Sequence, residues 1–402
     1  VIELSLLVHS GKIFQDGEFR EKDILIEEGR FTKIGAQLDG DKKIDASGLL
    51  VVPGLIDPHV HLREPGAGHK EDFKTGSMAA VAGGFTTILD MPNNPIPTIS
   101  AKSLEEKKII AAKSAVCDVG FHFGATADNF NEVIKADPGS LKIYMGLTTG
   151  EMIIDKDAVE KHFENFDSEK PIVIHASDHS ENEEENLERT YANEEFCVSA
   201  AAKYNQKIHL AHAASANEVD IFKKYQHASV EAAPHYMFLN SNDAKKLGHL
   251  GTVYPPLKSE KIRSDLWSSL DQVDCIATDH APHTIEDKEG GARGFPGLET
   301  SLGLMLDAYN KKLLDLNWII SRMSENPAKI FNLKNKGKVQ EGYVGSLTLI
   351  DLKKEWIVKG NEQFTKCKWS PFEGKKLKGK VHSVIHRGKL IFEEGNFSFK
   401  TQ

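Results

Sequence analysis

Two histidines one residue apart, His59 and His61, follow the apolar run 49–56 in the segment GLIDPHVHLREPG (54–66), with Arg63 two places further on. Positions i and i+2 of a strand share a face, so both imidazoles point the same way and can chelate one cation. An HxH pair alone is more commonly a surface pair or satisfied core histidines than a metal site. What turns it into a candidate metal site is repetition. Asn93 after ILDMP, Lys142 in LKIYMG, His175 after PIVI, His212 in IHLAH, and Asp279, His280 and His283 in CIATDHAPH each stand in or just beyond another short apolar run. Imidazole and carboxylate are the donors that zinc and related dications take.

Lys142 needs its own account, because a protonated lysine cannot ligate a cation and is costly to bury unpaired. It can snorkel to the strand end or pair with Asp279. Alternatively, the neutral amine reacts with carbon dioxide to give a carbamate, whose two oxygens can bridge two metal ions and whose charge those ions stabilise. The letters leave these open.

Such residues act together only if the chain brings them to one place. Candidate strands begin near Val51, Phe85, Val116, Leu141, Pro171, Ile208, Val230 and Asp274, and amphipathic segments separate them. Eight strand-plus-helix units in that span predict an α/β fold, a (β/α)₈ TIM-like barrel, in which side chains at the C-terminal strand ends converge on one mouth. A doubly wound sheet is the alternative. SANE (215–218) has the form of a capping box and predicts a helix after the strand KIHLAHA. The hairpin pattern of 23–35 and the β-rich runs 345–352 and 381–397 predict a small β-sandwich domain built by both termini, residues 1–50 plus 342–402, with the catalytic barrel at 51–341.

Composition narrows the function classes. The chain of 402 residues is 40% hydrophobic and 27% charged with net charge −9, which predicts a globular protein and argues against nucleic-acid binding. No stretch approaches the length of a membrane helix, so no membrane partner is expected. Cys117, Cys197, Cys275 and Cys367 are scattered without a CxxC pair, which argues against a disulfide framework and favours the cytoplasm.

The segments DPHVHLREPG (57–66), MPNNPIPT (91–98), KIYMGLTTG (142–150), IHASD (174–178), HLAHAAS (209–215), APHY (233–236), YPPLKSE (254–260), ATDHAPH (277–283) and GFPGLETSL (294–302) resemble, in order, the blocks of the cyclic amidohydrolases and, within them, the dihydroorotases. The resemblance implies that His59, His61 and Asp279 hold one zinc, that His175 and His212 hold another, and that carboxylated Lys142 bridges the two. No DDG loop, the aspartate alternative in some relatives, is present. It further implies reversible cyclisation of N-carbamoyl-L-aspartate to L-dihydroorotate in pyrimidine synthesis, by a metal-bridging hydroxide with Asp279 as general acid and base.

Arg63, Asn93, His283 and Gly294 fall at the family's substrate positions, and a guanidinium suits a ring carboxylate. The resemblance also implies a homodimer and possible association with aspartate transcarbamoylase. Thr148 and Thr149 stand where some relatives close a loop over substrate, while His235 and His280 read as supporting residues. Tyr254 stands where many relatives have asparagine, and Ser177 where many have glutamate, which puts substrate contacts rather than hydrolysis in question. The competing expectations are a hydantoinase or allantoinase, whose ring bears no carboxylate, and a catalytically silent barrel serving as a partner subunit.

Overall fold

Gly54 divides the first apolar run between two sheets. The computed structural model describes residues 4–146, 152–178, 180 and 182–399. In it β1 (Leu6–Gln15), β2 (Glu18–Glu27), β3 (Arg30–Gly35), β4 (Lys42–Asp45) and β5 (Leu50–Pro53) precede Gly54, and the barrel starts with β6 (Leu55–Val60). The strand expected near Val51 therefore belongs to the terminal sheet. Glycine suits the break: a Cβ at Gly54 would lie 2.2 Å from Thr86 Oγ1, and its N–H donates to Ser346 O at 2.8 Å.

The barrel continues with β7 (Phe85–Asp90), β8 (Asp118–Phe121), β9 (Phe123–Gly124), β10 (Leu141–Tyr144), β11 (Ile172–His175), β12 (Ile208–Leu210), β13 (Ala228–Ala232) and β14 (Cys275–Ile276). Its paired neighbours are all parallel. β8 and β9 are one strand broken at His122, whose backbone N–H donates to Asp90 O at 3.0 Å. A parallel bridge from Val60 to His280 closes the circuit. This is the (β/α)₈ barrel expected from the alternation, with helices such as Phe73–Ala82, Ala101–Ser114 and Glu183–Tyr204 between strands. Asp72, Ser100 and Asn182 cap those three helices through side-chain oxygens. Ser215 caps the helix Ala216–Lys223 as SANE predicts, although Glu218 Oε2 accepts from Ala214 N, 3.0 Å away, one residue before the cap.

Barrel register stacks the inward side chains in layers. Lys142, Val173, His209 and Ser229 are successive partners across β10 to β13, and Glu231 pairs with Cys275 above them. Unlike an ordinary apolar barrel core, the interior is polar: Asp57, His122, Lys142 and His209 are fully buried. Phe331 packs its ring edge-on against His122 and His209. All four cysteines are buried and free.

After the barrel come β15 (Leu347–Ile357), β16 (Lys376–His386), β17 (Lys389–Glu393) and β18 (Asn396–Phe397). They join β1 to β5 in one nine-stranded sheet. β5 is its hinge, antiparallel to β15 and parallel to β1. Leu6, Ile13, Ile24, Val51, Leu347 and Ile385 form its core, so both termini build the unit as expected. The connection 358–375 leaves the sheet and reaches the barrel mouth, where Trp369 Nε1 donates to His283 O at 2.8 Å. No described helix is long and apolar enough to cross a membrane.

Candidate metal centre

Three residues at the barrel mouth hold left-handed backbone despite having a Cβ: Arg63 at φ 65°, His212 at φ 41° and Asp279 at φ 47°. Such conformations cost roughly 1–3 kcal/mol each and persist where surrounding structure enforces them. Each lies two or three residues past a strand end, where the turn redirects the side chain.

His59 Nε2 and His61 Nε2 lie 3.2 and 3.1 Å from the same atom, Asp279 Oδ1. Their ligand atoms fall within 4.8 Å of one another, a spacing that can hold one ion. The far nitrogens are engaged elsewhere. His61 Nδ1 donates to Asn93 Oδ1 at 2.8 Å, and His59 Nδ1 meets the Glu231 carboxylate. These partners place the protons on Nδ1 and leave the Nε2 lone pairs facing the cluster. Burial lowers the His61 imidazole to about 4, so it is neutral at pH 7. Burial alone would raise the Asp279 carboxyl, but His59, His61 and His212 more than offset it and hold the group well below the carboxylate range.

A second group adjoins the first. His175 Nδ1 is 2.8 Å from His212 Nε2, and the His212 ring centroid is 5.3 Å from that of His59. Burial, the larger cause, holds both imidazoles far below the usual range and hence neutral. Lys142 is wholly buried, which rules out snorkelling. Its Nζ has no hydrogen-bond partner among the described residues, and neither has His175 Nε2. Asp279 is engaged by the histidines rather than ion-paired with Lys142. Desolvation drops the amine to about 8, which raises its neutral, carbon dioxide-reactive fraction. Two orphaned nitrogens beside two neutral imidazoles and an ionised carboxylate form a donor set that fits dications.

The opposite end of the cavity is cationic. Arg63 is buried, with Nε donating to Pro282 O at 3.0 Å and a terminal nitrogen 3.0 Å from His283 Nε2. The loop carrying Asn93 is tied down by Lys107, whose buried Nζ contacts Asp90 Oδ2, Met91 O and Asn94 Oδ1 at 2.6, 2.7 and 2.6 Å. Asp90 Oδ1 in turn accepts from Leu62 N at 2.7 Å, just past His61. Gly294 passes so close to Ala281 that a Cβ would sit 2.4 Å from its carbonyl oxygen. His59, His61, Arg63, Asn93, His175, His212, Asp279, His283 and Gly294 all line one cavity of about 490 Å³; Lys142 lies behind the lining.

Sequence reasoning missed several participants. Glu231 grips His59, accepts from His209 Nε2 at 3.0 Å and from His212 N at 2.9 Å. Its inward position in β13 was the available signal. Asp57 accepts from Thr278 Oγ1 at 2.5 Å and from His59 N at 3.1 Å, tying the first and last barrel strands together. Arg293 also lines the cavity, together with Tyr254, which the sequence already places near the substrate contacts. Ser177, two residues after His175, is buried, His280 Nδ1 accepts from Gly297 N at 3.1 Å, and His235 packs edge-on against Phe295. Thr148 and Thr149 lie outside the described residues.

A parallel eight-stranded barrel with histidines and an aspartate gathered at its mouth defines a metal-dependent hydrolase. The Amidohydrolase family model matches residues 50–391, and the chain belongs to that family. It is similar to a dihydroorotase of Pyrococcus abyssi, 39% identical over 395 residues, covering 96% of this chain and 95% of the relative. It is also 38% identical to the Multifunctional protein CAD of Squalus acanthias, spanning 86% of this chain but 15% of that protein. Among solved structures, L-hydantoinase from Arthrobacter aurescens superposes with a TM-score of 0.93 at 25% identity, covering 99% of this chain and 98% of that one. Dihydropyrimidinase from Brevibacillus agri, with a TM-score of 0.89 at 22% identity and coverage of 98% and 96%, shares the fold.

Proposed function

We propose that this chain is a dihydroorotase, interconverting N-carbamoyl-L-aspartate and L-dihydroorotate for pyrimidine synthesis. The observation that carries the reading is the two-ended cavity, with neutral imidazoles and ionised Asp279 at one end and Arg63 with His283 at the other. The similarity to dihydroorotases at 39% identity supports it.

In this reading His59, His61 and Asp279 would hold one zinc and His175 and His212 a second, with Lys142, carboxylated on Nζ, serving as a ligand between them. Bound there, the ions supply Lewis acidity and water of lowered pKa. The chain's own groups do the rest. Arg63 binds the ring carboxylate as a planar fork, with Asn93, His283 and Gly294 completing that end. This fixes the ring with its scissile amide toward Asp279. When water adds to the amide carbonyl and the ring C–N bond breaks, Asp279 takes the proton from the attacking oxygen and passes it to the departing nitrogen. Ring closure runs the same proton backward.

The fold likeness to L-hydantoinase supports a second reading, a cyclic amidase for rings without a carboxylate. Buried Arg63 weighs against it, because a desolvated guanidinium with no anion to meet is costly. A silent partner subunit is disfavoured by the full set of donors. The reading takes 51–341 as the catalytic unit and 1–50 with 342–402 as the small β unit, with the first boundary moved to Gly54 because β5 pairs with β1 and β15. It includes cytoplasmic location, a homodimer and contact with aspartate transcarbamoylase, the last supported by the match within a longer multifunctional relative. The test is turnover of L-dihydroorotate beside hydantoin and allantoin by zinc-loaded protein with bicarbonate. Preference for dihydroorotate supports the assignment, and preference for either other ring overturns it.

A further inference from the structure

We infer that Arg293 is a specificity-determining residue that favours the doubly charged open-chain substrate over the singly charged ring; this rests on the dihydroorotase reading and deepens it. Arg293 is exposed at the cavity rim, and among the described residues it forms no ion pair. Its backbone carbonyl is 3.1 Å from His283 Nε2, at the end occupied by Arg63. Its guanidinium reaches the other way, over the Tyr254 ring at 5.4 Å. Tyr254 stacks in turn on His175, with ring centroids 5.8 Å apart and planes 28° apart. The residue thus bridges the rim from the carboxylate-binding end to the reacting end.

The loop is held in that position. Gly294 N donates to Thr252 O at 3.1 Å, and Thr252 Oγ1 donates to Ala292 O at 2.9 Å. Buried Lys288 donates to Thr252 Oγ1 at 2.8 Å and Gly294 O at 3.2 Å. These bonds lock the Arg293 loop to the segment carrying Tyr254.

Chemistry supplies the consequence. The ring carries one carboxylate, which Arg63 takes, whereas opening the amide creates a second at the reacting end, below Arg293. A net charge of −9 repels anions from the protein at large, so an unneutralised cation at the rim also governs capture, and a dianion feels it twice as strongly as a monoanion. Tyr254, which departs from the family's asparagine, serves as the platform that keeps the guanidinium over the cavity.

The test compares wild type, R293Q and R293K as metal-loaded protein, with kinetics in both directions at two salt concentrations and calorimetric binding of each compound. R293Q is expected to raise KM for N-carbamoyl-L-aspartate roughly tenfold and to flatten the salt dependence of that KM, with a rise of about threefold or less for L-dihydroorotate, while kcat/KM falls by the same factor in both directions because the equilibrium constant ties the two together. R293K should recover part of the open-chain rate. Equal rises in KM for both compounds, or an unchanged salt dependence of KM, overturn the inference while leaving the assigned activity standing. Wild type that binds neither compound overturns the functional reading itself.

Discussion

His61 Nδ1 donates to Asn93 Oδ1 at 2.8 Å, joining a metal-facing imidazole to a residue of the anion end. The amide oxygen therefore sets the His61 tautomer, and in the proposed reading the same side chain faces the substrate. Asn93→Asp replaces the amide nitrogen by a second oxygen: His61 keeps its acceptor, but the anion end gains a negative charge. Metal content should stay near wild type while KM for dihydroorotate rises about tenfold or more. Metal loss with unchanged KM would show that the amide serves only the imidazole.

Removing the proton carrier should be more severe. On the proposed roles of Asp279 as ligand and proton carrier, Asp279→Asn should lower kcat about a thousandfold or more. Circular dichroism should show the barrel intact. Residual turnover within tenfold of wild type would assign proton transfer to another group.

Glu231 supports His59 from behind, contacting the nitrogen turned away from the cluster. Glu231→Gln keeps the shape and drops the charge. Zinc affinity, read by competition with a chelator, should weaken roughly 10–100-fold, and an unaltered affinity would reduce Glu231 to a packing role.

The terminal sheet is fastened to the barrel through Asp118. Its carboxylate accepts from Arg387 Nε at 3.1 Å and from a terminal nitrogen of Arg387 at 2.9 Å, and it pairs with Lys336. Burial would raise this carboxyl, but His386 and Lys336 hold it well below the ordinary range. A depressed acid contributes stability above its unfolded pKa and loses it as pH falls through the folded value. Asp118→Asn should therefore lower stability by about 1–3 kcal/mol at pH 7. The gap to wild type should close as acid protonates the native carboxylate; melting curves of both proteins from neutral to acid pH check this. A gap that persists unchanged at low pH would assign the effect to shape rather than charge.

The barrel was readable because each strand is a short apolar run ending in a polar residue, and because His59 and His61 obey strand periodicity. The passage from β5 to β6 was not, since Leu50–Pro53 and Leu55–Val60 form one apolar stretch in which a change of sheet leaves no mark beyond Gly54. Glu231 was hidden for another reason. Its partner His59 is 172 residues away in sequence, and a lone acid among alanines looks like a strand-end residue. Trp369 at the back of His283 and Arg293 over Tyr254 depend on loop paths that no local pattern encodes. The apolar neighbours of Lys142 left burial and snorkelling both open, so its burial, and the lack of a hydrogen-bond partner for its Nζ among the described residues, required the surrounding structure.

The central claim is that six side chains, Lys142 among them, from five barrel strands and the turns that follow them form one dication site. X-ray data collected at the zinc absorption edge from crystals of metal-loaded protein grown with bicarbonate test it most directly. The account predicts two anomalous peaks, one among His59, His61 and Asp279 and one at His175 and His212, with carboxylate density on Lys142 Nζ between them. A bare Lys142 amine and no peak within reach of these side chains would contradict it.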